Sequence, residues 1–261
     1  FYFDEATNQE VTVAAAPGTK EYEELWKPFL TDFTKHLKEK GWENKTLIAM
    51  DERSPAEMKA MLSLLKEAAP TLGVALADNH KSYKLYPDQL IDLCVAHGAT
   101  VEQDDRAYRA ENNYVTTWYV SCAHDFPNVF TFSPPAEGAF IGWYTMAGNF
   151  DGFLRWAYNS YTKESPVDTR FRTWPAGDTH LVYPNSRSSI RFERLMEGIQ
   201  DAEKIRIVRE TLQQDTSDEG KQKLVEFNDL LETFNILKRP ENLEEMLAKG
   251  KAFLNNPELF K

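Results

Sequence analysis

One tetrapeptide, Ser54-Pro55-Ala56-Glu57, does most to constrain the fold. Ser54 suits an N-cap, Pro55 fits the first helical turn, and Glu57 closes a capping box, so a helix must start here. The apolar run just before it, Thr46-Leu47-Ile48-Ala49-Met50, suits a strand buried on both faces. Asp51 and Glu52 therefore lie on the turn where a strand hands over to a helix. Adjacent residues of a regular strand point to opposite faces. The two carboxylates can serve one ligand only if the strand has already ended, and the helix start says that it has.

The same strand-then-helix alternation recurs along the chain. Apolar spacing predicts a helix over residues 20–40, stopped by Gly41 and kinked or reset at Pro28. Residues 72–77 read as a strand ending at Asp78, and residues 87–97 as a helix stopped by Gly98. Residues 115–122 read as a strand, and Ser133-Pro134 opens a helix ending near Gly148, with Trp143 and Tyr144 in its core face. Residues 152–158 and 180–183 read as two more strands. From residue 188 the text is helical, with breaks at 215–220 and at Pro240. Alternating strands and helices argue for an α/β fold with a parallel sheet, open or closed into a barrel.

Composition excludes several classes. With 30 Lys and Arg against 41 Asp and Glu, the net charge is -11, which opposes the phosphate contacts that dominate nucleic-acid binding. No apolar run approaches the ~20 residues of a membrane helix. Phe1-Tyr2-Phe3-Asp4-Glu5 has neither the basic start nor the apolar stretch of a secretory signal. Cys94 and Cys122 lack CxxC spacing and read as two buried free thiols, so no zinc or redox motif is expected.

In parallel α/β folds, chemistry gathers at the carboxyl ends of strands. Here those positions hold Asp51, Glu52, Asp78, Tyr119, His124, Trp156, Tyr158 and Asn159. All six Trp and all eleven Tyr precede residue 184. Neighbouring carboxylates, several aromatic rings, few His and no phosphate loop suit a sugar site. Rings stack on the apolar faces of pyranoses, and paired carboxylates run acid/base chemistry. His124-Asp125 beside Cys122 has no third partner at a recognisable spacing and reads as structural. His80 is at most a rim contact.

Four blocks carry a resemblance to a known family. They are Ala49-Met50-Asp51-Glu52-Arg53, Asp151-Gly152-Phe153-Leu154-Arg155-Trp156-Ala157-Tyr158-Asn159-Ser160, Thr173-Trp174-Pro175-Ala176-Gly177-Asp178 with Leu181-Val182-Tyr183-Pro184, and Ser189-Ile190-Arg191-Phe192-Glu193-Arg194-Leu195 with Gly198-Ile199-Gln200-Asp201. In this order they resemble glycoside hydrolase family 123. The resemblance implies a retaining β-N-acetylgalactosaminidase, with a β-sandwich preceding a (β/α)8 TIM-type barrel. It also implies substrate-assisted catalysis, in which the sugar's own 2-acetamido oxygen attacks the anomeric carbon. Asp51 would orient the acetamido group. Glu52, in a drier spot, would protonate the leaving oxygen and then deprotonate water.

Several substrate contacts are candidates with two readings each. Trp156 is a sugar platform or a filler of the barrel wall, and Tyr158 shares its face by period two. Tyr119 binds the acetamido oxygen or is a half-buried strand aromatic. Trp174 and Asp178 lie in a Pro- and Gly-containing loop, where Asp178 holds a sugar hydroxyl or caps the loop. No metal or cofactor is expected.

Residues 1–187 are expected as the barrel portion and 188–261 as a helical segment packed on it. A complete barrel takes ~250 residues. The chain is therefore expected to hold the C-terminal part of the family's architecture, without the sandwich and the first barrel strands, and to come from a secreted or periplasmic protein. Two alternatives remain: a non-catalytic carbohydrate-binding protein, and a β-N-acetylglucosaminidase of the same mechanism.

Overall fold

The structure, a computed structural model, describes residues 1–99 and 101–260. It divides into two compact units, Phe1–Leu93 with Ala107–Tyr114, and Cys94–Arg106 with Val115–Lys261. The boundary expected at 187/188 thus falls inside the second unit.

In the first unit, β1 (Tyr2–Asp4) and β2 (Gln9–Val11) pair as a short antiparallel hairpin. Helix α1 (Lys20–Lys40) starts where the Thr19 hydroxyl accepts the Tyr22 N–H, and ends at Gly41 in the left-handed region, φ 68°. Pro28 sits within this one continuous helix and does not reset it. Next come β3 (Leu47–Asp51), α2 (Pro55–Ala68) and β4 (Gly73–Asp78), a parallel βαβ unit with register from Leu47↔Gly73 to Asp51↔Ala77.

The capping box forms as read. Ser54 Oγ accepts the Glu57 N–H at 3.4 Å, and the Ser54 N–H donates to Glu57 Oε2 at 3.0 Å. Strand β3 departs from expectation: only Met50 in it is buried, while Leu47 is 37% exposed. It is not covered on both faces.

Strand β5 (Leu90–Ala96) and helix α3 (Gln103–Glu111) each contribute residues to both units. Residues 87–97, expected as a helix, contain β5 instead. Leu90, Leu93, Cys94 and Val95 are all buried, so apolar side chains fill both faces of a short run and neither period is visible. Pro87 and Gly98 punctuate that run without specifying its type.

The second unit adds β6 (Val115–Val120), α4 (Ala136–Ala147) and β7 (Gly152–Arg155), with β6 and β7 parallel from Thr117↔Gly152 to Val120↔Arg155. Strand order is β3-β4-β5 in the first unit and β5-β6-β7 in the second. The fold class is α/β with five strands in one parallel series, and no closed barrel is seen among the described residues. Strand β7 stops at Arg155, short of the expected residue 158. Residues 180–183 form no strand; they make isolated bridges, Asn159↔His180 and Tyr183↔Arg187.

Helices α5 (Ile190–Gln214), α6 (Asp218–Glu232) and α7 (Leu243–Leu254) complete the second unit. Helix α5 crosses α4 through Gly138, Gly142 and Gly198, where the two backbones touch. Trp143 and Tyr144 are core residues: Trp143 stacks on Phe234 at 4.4 Å and donates to Asp201 Oδ2 at 2.9 Å. Both cysteines are free. Cys94 is buried, but Cys122 is exposed, which corrects the expectation of two buried thiols. No helix among the described residues is long and apolar enough to cross a membrane.

Candidate active site

The first unit presents the acidic pair at the end of β3. Asp51 is the strand's last residue, and Glu52 has a left-handed backbone, φ 44°. A non-glycine residue in that region carries steric strain of order 1–3 kcal/mol and needs its surroundings to hold it there. A hydrogen bond from the Glu52 N–H to the Ala77 carbonyl at 2.9 Å does part of that holding, extending the β3–β4 ladder by one bond. The strand's alternation therefore breaks between the two carboxylates, before Ser54 starts α2.

Both carboxylates are exposed, so Glu52 lacks the dry setting expected for it. On the neighbouring strand, Asp78 is buried and turns inward. Its Oδ1 accepts the His80 N–H at 2.8 Å and the Ser82 hydroxyl at 3.1 Å, which closes the β4 turn. His80 itself is exposed.

The second unit gathers the aromatic candidates just after β7. Trp156 and Tyr158 are 41% and 46% exposed, with Ala157 buried between them, so period two persists past the strand's end. Trp156 lies 5.9 Å from Trp174, and Tyr158 meets Phe192 edge-on at 6.0 Å. Asp178 is fully buried. Its Oδ1 accepts from Arg155 Nη2 at 2.9 Å and from Trp156 Nε1 at 3.3 Å. Tyr119 is 7% exposed, with its ring 6.4 Å from that of His124. His124 Nδ1 accepts the Ser121 N–H at 3.0 Å, a turn-closing role.

Three residues in this region received no role from the sequence: Arg155, His180 and Arg191. All three lie in the quoted motif blocks or between them, but nothing local marks them as buried. Arg191, in the first turn of α5, donates Nη1 to the Val129 carbonyl at 2.6 Å and the Gly177 carbonyl at 2.8 Å. It ties the loop after β6 to the loop carrying Trp174 and Asp178. Gly177 is required there: its φ is +82°, and a Cβ would meet Thr131 Cγ2 at 2.7 Å.

Burial lowers the proton affinity of Arg155, with Asp178 opposing, and of Arg191. Burial and then the charges of Arg191 and Arg155 push His180 below the usual imidazole value. Among the described residues, no group of His, Cys, Asp and Glu could hold a metal ion.

No curated protein matches the chain. A solved structure of a family 123 glycoside hydrolase from Clostridium perfringens, described through its hydrolysis of glycolipid glycans, is similar, with a TM-score of 0.79 and 28% identity. The match covers 99% of this chain and 48% of that one, so the chain spans about half the relative's length. Residues 1–208 match the family described as glycoside hydrolase 123, catalytic domain, and so take in β1 to β7 and most of α5. The chain belongs to glycoside hydrolase family 123.

Proposed function

We propose that this chain carries the catalytic centre of a retaining exo-β-N-acetylgalactosaminidase that removes terminal β-linked N-acetylgalactosamine by substrate-assisted catalysis. The observation that carries the reading is the left-handed backbone of Glu52 directly after Asp51 at the end of a parallel strand. It breaks strand alternation at the one point where two adjacent carboxylates must serve one sugar.

In the first step the substrate's acetamido oxygen attacks the anomeric carbon while the glycosidic C–O bond breaks. The Glu52 carboxyl gives its proton to the leaving oxygen. Asp51 accepts the acetamido N–H and offsets the positive charge of the oxazolinium ring. Water then attacks the same carbon from the face the leaving group vacated. Glu52 takes the water's proton, and the ring opens to restore the acetamide with retained configuration. The nucleophile is held within the substrate, so the protein supplies orientation and proton transfer.

We extend this reading to two further points. The five parallel strands are part of a (β/α)8 barrel, whose carboxyl ends bear the site. The relative's glycolipid glycans suggest the substrate class: glycans ending in a β-linked amino sugar. Trp156, Tyr158, Trp174 and Tyr119 are assigned to sugar contact.

An aryl β-N-acetylgalactosaminide assay tests the proposal. Glu52→Gln and Asp51→Asn should each lose about 10²–10⁴-fold in kcat. The gluco epimer should turn over more slowly, and the aryl galactoside lacking the acetamido group should not turn over. Unchanged turnover in both variants would overturn the assignment.

A further inference from the structure

Within the second unit, one buried carboxylate joins an arginine to which the reaction gives no task and an indole assigned to sugar contact. Arg155, the last residue of β7, and Asp178 form an ion pair at 2.9 Å with side chains 6% and 0% exposed. The same Asp178 oxygen accepts the indole N–H of Trp156 at 3.3 Å. The Trp156 ring lies 5.9 Å from Trp174, which in turn stacks on Phe171 at 5.5 Å. The indole thus has its polar edge tied to a buried charge and one side against a ring ladder, with the remainder in solvent.

We infer that Asp178 is a positioning residue: paired with Arg155, it holds the indole of Trp156 as a preset platform for the apolar face of a hexopyranose. This rests on the glycosidase reading of the chain. Asp178 is fully buried, so it offers no surface to a sugar hydroxyl and acts only through what it holds. Its own loop is pinned by the Arg191 guanidinium on the Gly177 carbonyl and by the left-handed Gly177, so the carboxylate cannot swing outward.

An exposed indole ordinarily loses side-chain freedom when a ligand stacks on it. A charge-assisted hydrogen bond already fixes this one, which lowers the ordering cost of binding. Arg155 keeps the carboxylate oriented. Two consecutive residues, Arg155 and Trp156, reach one oxygen because β7 ends between them.

The test measures kcat and KM with an aryl β-N-acetylgalactosaminide in the complete chain. The variants are Asp178→Asn, Trp156→Phe, Arg155→Lys and the Asp178→Asn/Trp156→Phe double. Tryptophan-emission quenching by N-acetylgalactosamine is read in a Glu52→Gln background. Asp178→Asn should raise KM about 5- to 10-fold, more than it lowers kcat, and weaken quenching in parallel. In the Trp156→Phe background the same change should add little, because the pair acts as one unit. Arg155→Lys should shift KM in the same direction, which keeps the test open if Asp178→Asn does not fold.

Full additivity of the two changes, or an unchanged KM in folded Asp178→Asn or Arg155→Lys, would overturn the inference. Its failure is separable from that of the glycosidase reading. If Glu52→Gln retains turnover while quenching keeps the coupled pattern, the catalytic assignment falls and the platform stands.

Discussion

Gly142 of α4 and Gly198 of α5 meet backbone to backbone: a Cβ on Gly142 would collide with the Gly198 carbonyl group, and one on Gly198 would lie 2.6 Å from the Ala139 oxygen. Helix axes come this close only where side chains are absent. Gly142→Ala must therefore part the helices or distort them, since the obstacle is backbone and not a movable side chain. Overpacking typically costs ~1–3 kcal/mol, and the upper end applies here. Thermal unfolding should show a clearly lowered Tm. Gly41→Ala is the contrast: a Cβ there meets nothing within 4 Å, so only its φ of +68° is at issue and the loss should be smaller.

The Arg155–Asp178 pair and the surface pair Lys27–Glu67 have the same length, 2.9 Å, in opposite environments. Removing one partner of the buried pair strands a charge out of water, which costs about 3–5 kcal/mol. Asp178→Ala should fall in that range by urea unfolding. Asp178→Asn keeps an acceptor for both donors and should lose less. Glu67→Ala leaves Lys27 paired with Glu23 at 3.2 Å at the surface, so its effect on the urea midpoint should be barely measurable.

His97 supplies a pH dependence of stability. Its ring touches Trp118, Tyr144 and His124, and the cavity beside it is also lined by Asp125, Lys238 and Arg239. Burial, then the charge on His124, holds it down to about 4, with a backbone hydrogen bond at Phe126 opposing. An unfolded histidine takes a proton near 6.5, whereas the folded one resists until about 4. This stabilisation is present above pH 6.5 and is lost as pH falls from there towards 4. The Tm should drop over that window, and His97→Phe should flatten the drop. A slope unchanged in the variant would assign it to other groups. His124, lowered by its own burial, should leave a residual slope.

What was legible in the sequence depended on how local its cause is. The start of α2 was readable because Ser54 and Glu57 bond to each other across three residues. The end of α1 was readable because Gly41 alone supplies the left-handed cap. Strand β5 was not, since Leu90–Ala96 is buried on both faces and shows no period. The α4–α5 crossing depends on glycines 56 positions apart, and the burial of Asp178 on an arginine 23 positions upstream. Loop acids look alike in a sequence whether they face solvent or a guanidinium. The Asp51-Glu52 turn was half legible: the helix start showed that the strand had ended, but not that Glu52 bears the left-handed residue.

That strained residue yields a prediction in which stability and activity part company. Glu52 holds φ 44° without the freedom of glycine, and the Ala77 carbonyl anchors its N–H. Glycine adopts this conformation without steric penalty, although it gains freedom in the unfolded chain. The two effects oppose, and a strain of ~1–2 kcal/mol outweighs an entropic term of ~0.5–1 kcal/mol. Glu52→Gly should therefore unfold at a temperature equal to or above the parent's, while its turnover of an aryl β-N-acetylgalactosaminide falls to the level of Glu52→Gln. Glu52→Gln keeps both the strain and the shape, so its Tm should stay at the parent value. A loss of stability in Glu52→Gly with activity retained would mean that the left-handed turn serves the fold and that the chemistry lies elsewhere.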